Sequence, residues 1–336
     1  MAKTRLIDMK TVEELIGVNE INEIVEKTFE GFGQKKVLNP TKVTLDLGDN
    51  SDWPPYDGYM NAMPAYIGES DVAGLKWVGG FDGERAEAGL PYINGLILVL
   101  DPHLGTFRAV MDGTYITNLR TGAQPAVAIK NMGREKGSDI SVGLFGTGVQ
   151  AKTSLAAINE WFNITEVKLW NHSEGSVQQF LDAMEDVVDC PITFNPDAAF
   201  ASDADVIVTA TKAKDPIVLK ENVKKGTLII PLGSSTEVDT DLIDTADHIV
   251  VDHVGQALHR GALSKAYEEG IIDENDIDTT IGALVSDRTQ ITTPYEDEIN
   301  ICVPIGMGAH DIAIAGEVTK RAEEQELGQI FEFNPF

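Results

Sequence analysis

The sequence is poor in cysteine and has no long apolar run. Its two cysteines are too few for a disulfide framework or a thiolate metal site, and no H-E-x-x-H spacing occurs, so we predict no metal site. No apolar run approaches the roughly 18 residues that span a bilayer. The N-terminus begins directly with amphipathic sequence, without the apolar core of a signal peptide. We therefore expect a cytoplasmic protein.

Basic residues are also scarce. The 54 acidic residues outnumber the 26 basic ones, which gives a net charge of −28. Such a surface repels nucleic acid and anionic membranes, so neither is expected as a partner. Because so few basic residues are available, each arginine or lysine in a cleft is informative about function.

Two patterns divide the 336 residues. Residues 1–34 predict an amphipathic helix or helix pair. Short runs rich in β-branched and aromatic residues then predict a mixed or antiparallel sheet, and residues 115–132 predict a long helix. From about residue 137, strands alternate with helices, which indicates an α/β fold with a doubly wound parallel sheet.

The domain boundaries follow from this change of pattern. We predict a first domain of residues 1–130, which carries the substrate site, and a second of residues 131–305, which binds a dinucleotide. Residues 306–336 begin with a glycine turn and continue as a helix. We expect this helix to return to the first domain, which both chain ends would then form.

The segment VGLFGTGVQA places Gly146, Gly148 and Ala151 between a predicted strand and a predicted helix. In this context the pattern is typical of a dinucleotide-binding turn: Gly146 permits the turn, Gly148 admits a pyrophosphate, and Ala151 allows close packing. Free N–H groups at the helix start, near Val149 and Gln150, would bind the phosphates. A tight turn without a ligand is the alternative.

The end of the next strand bears on the choice of cofactor. Asn171, followed by His172 and Ser173, can hydrogen-bond a ribose hydroxyl of NAD, although Asn and His are also ordinary turn residues. No Arg or Lys follows to neutralise the 2′-phosphate of NADP, and Glu174 would repel it. We favour NAD(H), with NADP(H) left open.

Two further residues are predicted to contact the cofactor because they follow later strands of the parallel sheet. Thr211 and Leu232 lie at the carboxyl ends of these strands, where doubly wound folds place ligands. For Thr211, an ordinary β-branched strand end is the alternative.

Four polar residues of the first domain are candidates for substrate chemistry. They are Lys42, Asn61, Lys76 and Arg120. Arginine binds a carboxylate by two parallel hydrogen bonds, and a desolvated lysine can have a lowered pKa suited to acid–base catalysis. Taken singly, each is more often a solvated side chain whose stem covers apolar surface.

The motifs MPAYI, GLKWVGG, LRTGAQPA, VGLFGTGVQA, VTAT, IPLGS and IGMGAHDIAIA occur in this order over nearly the whole chain. Their order and spacing resemble the ornithine cyclodeaminase/mu-crystallin family, which includes cyclodeaminases, archaeal-type alanine dehydrogenases and ketimine reductases. The resemblance implies a homodimer. Each subunit would combine a Rossmann NAD(P)(H)-binding domain with an α+β domain for dimerisation and substrate binding, built from both chain ends.

The resemblance also implies site roles. Lys76 matches the family's lysine that contacts the substrate carboxylate or reacting nitrogen and transfers protons. Arg120 matches an arginine near the cofactor pyrophosphate and the substrate. This sequence departs from the pattern at three positions: Lys42 replaces a carboxylate-binding arginine, and Asn61 and Ser235 stand where cyclodeaminases carry a glutamate and a catalytic aspartate.

We therefore predict an NAD(P)-dependent oxidoreductase that acts on C–N bonds. It would interconvert a small α-imino acid, or an α-keto acid plus ammonia, with an α-amino acid by hydride transfer. Lys76 and Arg120 would be catalytic, and Lys42 and Asn61 would also bind substrate. The first alternative is a cyclodeaminase that uses NAD catalytically, which the two missing acids disfavour. The second is a non-catalytic mu-crystallin-like binding protein, which the retained lysine, arginine and glycine turn disfavour.

Overall fold

The computed structural model describes residues 3–50, 52–233, 235–286 and 297–333. The chain forms two compact units, one of Met1–Arg120 with Met307–Phe336 and one of Thr121–Gly306. The sequence places the corresponding boundaries after residues 130 and 305. Among the described residues, no helix is both long and apolar enough to cross a membrane.

The first unit contains a mixed sheet. The N-terminal part of the chain contributes seven of its described strands. They are β1 (Thr4–Ile7), β2 (Val37–Leu38), β3 (Val43–Asp46), β4 (Gly58–Ile67), β5 (Val72–Phe81), β6 (Ile93–Asp101) and β7 (Thr106–Asp112). The strands from β2 to β7 pair antiparallel, whereas β1 and β7 are parallel. Helices α1 (Met9–Leu15), α2 (Val18–Gly33) and α3 (Glu84–Glu87) belong to the same unit.

The prediction of helix at the extreme N-terminus is wrong for Thr4–Ile7, which form β1. This segment pairs with β7, about a hundred residues later, and that pairing overrides the short local pattern. Helix α1 starts only after Asp8, whose carboxylate accepts a 2.9 Å hydrogen bond from the backbone N–H of Thr11.

Strand β5 alternates between the two faces of the sheet. Lys76 is buried, whereas the next residue, Trp77, is half exposed. Lys76 lies opposite Met63 of β4 and Ile97 of β6, both buried. Its side chain therefore points to the buried face of the sheet.

In the part of the second unit that the structure describes, eight strands form a parallel sheet. They are β8 (Asp139–Phe145), β9 (Asn163–Trp170), β10 (Ile192–Phe194), β11 (Val206–Thr209), β12 (Leu228–Pro231), β13 (His248–Val251), β14 (Thr279–Thr280) and β15 (Asn300–Val303). Their order is β10-β9-β8-β11-β12-β15-β13-β14. The chain reverses direction across the sheet between β8 and β11, which is where doubly wound folds bind ligands.

Eight helices and three 3₁₀ turns accompany this sheet within the described residues. Helix α4 (Thr114–Asn131) precedes it and contains the division between the two units. The others are α5 (Val149–Trp161), α6 (Val177–Met184), α7 (Ala198–Ser202), α8 (Thr240–Asp244), α9 (Val254–Ala257), α10 (Ser264–Glu268) and α11 (Ile281–Ser286), with 3₁₀ turns at Glu174–Ser176, Lys220–Asn222 and Glu274–Asp276. The predicted doubly wound parallel sheet is confirmed.

After β15 the chain returns to the first unit. Helix α12 (Gly308–Glu324) packs on β4, β5, β6 and α2. The last strand, β16 (Gln329–Phe331), pairs antiparallel with β1. Both chain ends therefore build the first unit, as the predicted fold class requires.

Candidate active site

Lys76 is a fully buried charged residue. Its ammonium Nζ lies 2.7 Å from Oδ2 of Asp311, and neither side chain is exposed. Nζ also donates a 3.3 Å hydrogen bond to Oγ1 of Thr117. The lysine is therefore not a surface residue whose stem covers apolar atoms; its charged end is held inside the first unit.

Asp311 binds a second cation, Arg120 of α4. The guanidinium Nε–H donates a 3.2 Å hydrogen bond to Oδ1 of Asp311. Each oxygen of one buried carboxylate thus contacts a different cation. The two residues predicted to be catalytic, Lys76 and Arg120, are brought together by this aspartate.

The start of α12 explains how Asp311 reaches the sheet. A Cβ atom on Gly308 would lie 2.8 Å from the carbonyl oxygen of Met63, which is closer than side chains are found. Glycine at this position therefore lets the first turn of α12 contact β4, and Asp311 lies in that first turn. Asp311 is not among the site residues predicted from the sequence. An acidic residue within the apolar segment IGMGAHDIAIA was the available signal.

The surroundings shift the pKa values of the paired groups. Burial, with a further contribution from Arg120, lowers the pKa of Lys76 to about 7, while Asp311 opposes this shift. For Asp311, burial acts to raise the pKa, but Arg120 and Lys76 together outweigh it and hold the pKa below its ordinary value. The result is an ionised aspartate beside a lysine that can gain and lose a proton near neutral pH.

His310 is the buried neighbour of Asp311. Its ring packs edge-on against Phe29 of α2, with 4.4 Å between centroids, and within the described chain neither ring nitrogen has a hydrogen-bond partner. Burial, followed by the charge of Arg120, lowers the pKa of His310 to about 3. The imidazole is therefore uncharged at neutral pH.

The other two predicted substrate residues lie nearby in the same unit. Asn61 of β4 is buried and pairs with Val78, two residues from Lys76, so it shares the buried sheet face with that lysine. Oγ1 of Thr44 donates a 2.6 Å hydrogen bond to Oδ1 of Asn61. Lys42 is half-buried, and its charge is among the causes that lower the pKa of Lys76.

In the second unit, the glycine turn has the features of a dinucleotide site. Gly146 has a φ of 110°, and a Cβ there would lie 2.7 Å from the carbonyl oxygen of Ala210. By contrast, a Cβ on Gly148 would meet nothing within 4 Å, and Gly148 caps α5 without a side-chain hydrogen bond. Val149 and Gln150 form the first turn of this helix. Open space beside the N–H groups of the first helical turn fits a pyrophosphate.

Asn171, His172 and Ser173 follow β9, as predicted from the sequence. The amide Nδ2 of Asn171 donates hydrogen bonds to the carbonyl oxygen of Ser173, at 2.7 Å, and to Oγ of Ser176, at 3.2 Å. Its Oδ1 is not used in these contacts and can accept a hydrogen bond from a ribose hydroxyl. His172 and Ser173 are exposed.

Thr211 lies two residues beyond β11, and Leu232 directly follows β12. The hydroxyl of Thr211 donates a 2.5 Å hydrogen bond to Oε1 of Glu237, and its oxygen accepts one from the N–H of Ala213. The Thr211 hydroxyl thus holds its own loop. Leu232 donates its backbone N–H to the carbonyl oxygen of Thr209 at 2.8 Å. Glu237, which is fully buried, is not among the site residues predicted from the sequence.

The glycine turn on a doubly wound sheet and the buried lysine–aspartate–arginine cluster define a dinucleotide-dependent oxidoreductase. The chain belongs to the Ornithine cyclodeaminase/mu-crystallin family, whose sequence profile matches residues 2–326. It is 33% identical to an alanine dehydrogenase of Archaeoglobus fulgidus, over 98% of this chain and 99% of that protein.

Two solved structures share the whole fold. An archaeal alanine dehydrogenase dimer with bound NAD is 33% identical, with a TM-score of 0.90 over 99% of this chain and 100% of that one. The Δ1-pyrroline-2-carboxylate reductase of Thermococcus litoralis, in complex with NADH and L-proline, is 26% identical, with a TM-score of 0.88 over 97% and 99%. These similarities confirm the predicted family, fold class and enzyme class, and they agree with NAD(H) as cofactor.

Proposed function

We propose that this chain is an NAD(H)-dependent reductase of small α-imino acids, which also oxidises the corresponding α-amino acid in the reverse direction. The observation that carries this proposal is the buried 2.7 Å contact between Lys76 and Asp311, joined by Arg120. The similarity to an alanine dehydrogenase and to a Δ1-pyrroline-2-carboxylate reductase supports the same class of substrate.

The charges of the cluster favour an anionic substrate. Two buried cations, Lys76 and Arg120, share one carboxylate, so the cluster carries a net positive charge while Lys76 is protonated. Arg120 contacts Asp311 through Nε, and this contact leaves the two terminal nitrogens of its guanidinium to bind a substrate carboxylate by parallel hydrogen bonds. Lys42 adds a further positive charge near Lys76.

Lys76 supplies the proton. Reduction of an imine needs one hydride on carbon and one proton on nitrogen, and bound NADH would supply the hydride. The Lys76 ammonium donates the proton to the imine nitrogen and is left as a neutral amine, which solvent reprotonates. In the oxidative direction the same steps run in reverse, and the neutral amine of Lys76 accepts the proton from the iminium nitrogen that loss of hydride leaves. Asp311 holds the lysine in position and stabilises its charged form.

Asn61 and Ser235 favour this function over that of a cyclodeaminase. A cyclodeaminase substrate carries a second amino group, whose handling is served by acidic side chains. Here the amide oxygen of Asn61 is bound by Thr44 at 2.6 Å, and Ser235 contributes a backbone carbonyl to the N–H of Glu237. Neither position offers a carboxylate.

We also propose that two copies of the chain associate through the outer face of the first sheet. This face pairs Val43, Ala62, Trp77 and Leu96 in one row across β3 to β6, and Trp77 and Leu96 are 50% and 54% exposed. Exposed apolar side chains in a contiguous row are typical of a protein interface. The similar archaeal alanine dehydrogenase is described as a dimer.

The test is a spectrophotometric screen of NADH oxidation with the purified chain. Pyruvate, glyoxylate and oxaloacetate are each paired with ammonia or methylamine, and Δ1-pyrroline-2-carboxylate is offered alone, with NADPH in parallel. We expect NADH consumption matched by formation of the amino acid. Ammonia release from ornithine without a net change in NADH would establish the cyclodeaminase instead. Tight NADH binding without turnover of any of these substrates would indicate a binding protein.

A further inference from the structure

Glu237 is a buried carboxylate with four neutral donors. Its Oε1 accepts hydrogen bonds from the backbone N–H of Thr211, at 2.8 Å, and from the Thr211 hydroxyl, at 2.5 Å. Its Oε2 accepts from the hydroxyl of Thr209, at 2.7 Å, and from the backbone N–H of Gly233, at 3.1 Å. One side chain therefore binds the loop after β11 and the loop after β12 at the same time.

These two loops lie at the ligand-binding edge of the parallel sheet. The loop after β11 also contacts the dinucleotide turn. A Cβ on Gly146 would lie 2.7 Å from the carbonyl oxygen of Ala210, so the two backbones are in close contact. Ala210 lies between Thr209 and Thr211, both of which donate to Glu237. A displacement of this loop would consequently change the shape of the turn.

Glu237 reaches the loops from a fixed backbone. Its carbonyl oxygen accepts hydrogen bonds from the N–H groups of Ile217, at 2.9 Å, and Val218, at 3.0 Å, and Val218 forms a parallel bridge with Val238. Burial raises the pKa of Glu237, and the hydrogen bonds from Thr211, Thr209 and Gly233 oppose this shift. Burying a carboxylate among neutral donors costs stability, so a role beyond packing is needed to explain it.

Gly233 is shaped for this carboxylate. A Cβ on Gly233 would lie 2.1 Å from Oε2 of Glu237, so any other residue there would displace one of the two groups. A glutamine at position 237 would not replace the carboxylate either. Its NH₂ group would face a backbone N–H, of Thr211 or of Gly233, and two donors cannot pair.

We propose that Glu237 is a positioning residue, which holds the loops after β11 and β12 in the conformation that binds NAD(H). This inference rests on the proposed function. Loss of the Glu237 carboxylate frees a backbone N–H of one loop and thereby loosens the edge of the cofactor site, without removing any group of the Lys76–Asp311 cluster.

The experiment measures NADH binding by fluorescence titration of the full-length protein without substrate. For Glu237→Gln we expect the Kd for NADH to rise by about tenfold, the effect of losing one hydrogen bond to a charged group. The KM for NADH should rise to a similar extent, while kcat at saturating NADH stays within about threefold. Glu221→Gln, an exposed glutamate of the same unit, serves as the matched control and should bind NADH like the wild type.

Gly233→Ala disturbs the same contact from the other side and should also raise the Kd by about tenfold. If Glu237→Gln does not fold, the Kd of Gly233→Ala for NADH tests the proposal instead: a rise of about tenfold supports it, and a value within twofold of the wild type overturns it. A folded Glu237→Gln protein with an NADH Kd within twofold of the wild-type value would overturn the proposal, since a purely structural glutamate would change the melting temperature alone. Failure of the wild-type chain to bind NADH would instead refute the proposed function.

Discussion

Nζ of Lys76 and Oδ2 of Asp311 lie 2.7 Å apart, and both side chains are fully buried. A buried ammonium is costly without a counter-charge, and a buried carboxylate is costly without a cation. Each residue therefore makes the burial of the other tolerable, and Arg120 completes the cluster through the second carboxylate oxygen. In the proposed function this pair supplies the proton donor, at a position that the buried contact fixes.

Replacing Lys76 by methionine should abolish turnover. Methionine fills similar space but cannot donate a proton, so we expect kcat for imine reduction to fall by at least about a hundredfold. Binding of NADH should stay within about twofold, because no atom of the glycine turn is changed. Steady-state kinetics and fluorescence titration measure the two effects. Full turnover by this variant would remove Lys76 from the mechanism.

Replacing Asp311 by asparagine should affect both stability and pH dependence. Removal of one partner from a buried ion pair typically costs about 3–5 kcal/mol, here because Lys76 and Arg120 lose their shared counter-charge. Asp311 also raises the pKa of Lys76, so its loss should lower that pKa and shift the reductive pH profile to more acidic values.

Urea unfolding and a pH–rate profile measure these two effects of Asp311→Asn. Glu324→Gln, at the exposed end of the same helix, is the control and should change neither. An unshifted pH profile for Asp311→Asn, in a folded protein, would mean that the aspartate does not tune Lys76.

The two directions of the reaction should depend oppositely on pH. Lys76 has a lowered pKa of about 7, so its ammonium form predominates below that pH and its neutral amine above it. Reduction needs the ammonium form, and its kcat/KM should therefore decline as pH rises through about 7. Oxidation needs the neutral amine and should rise over the same range. Initial rates in both directions from pH 5.5 to about 9 would show two opposite limbs. Parallel profiles would argue for a different proton donor.

Much of this site could be predicted from short stretches of sequence. The glycine turn lies in one contiguous motif, whereas Lys76 is singled out by its place in the order of the family motifs, because a single lysine is more often a solvated side chain. Asp311 is different, because it lies 191 residues from Arg120 in the chain and its sequence neighbours belong to the apolar first part of a helix. Only the packing of α12 on the sheet shows that its carboxylate reaches Lys76.

Contacts between residues that are distant in the chain also explain the other differences between the sequence-based prediction and the structure. Glu237 is separated from Thr211 by 26 residues, and its role depends on two adjacent strand ends. The Thr4–Ile7 segment is too short for its pattern to distinguish strand from helix, and its pairing with β7 and β16 decides the outcome. Long-range pairing and burial of charge are tertiary properties, which a local pattern does not contain.

The two glycines of the dinucleotide turn should respond differently to substitution. Gly148 has φ and ψ values open to any residue and free space beside its Cα, so Gly148→Val should change stability by less than about 0.5 kcal/mol. The valine would fill the space needed by the pyrophosphate, and we expect the Kd for NADH to rise by at least about tenfold.

Gly146→Ala should instead destabilise the protein, by about 1–3 kcal/mol, because its φ of 110° and its contact with Ala210 both exclude a side chain. Urea unfolding and fluorescence titration of both variants separate the two effects. If Gly148→Val bound NADH as tightly as the wild type, the turn would have no role in cofactor binding.

The outer face of the first sheet should determine the oligomeric state. Trp77 points away from the Lys76 cluster and is half exposed in the row that we propose as the dimer interface. A charge at this position would have to be buried against apolar groups in a dimer, so Trp77→Asp should shift the protein to monomers in sedimentation velocity.

Leu104→Asp is the matched control, since Leu104 is 76% exposed but lies in the turn between β6 and β7, outside that row. We expect Leu104→Asp to sediment like the wild type, which we propose to be a dimer. If both variants sedimented alike as dimers, the interface would lie on another surface.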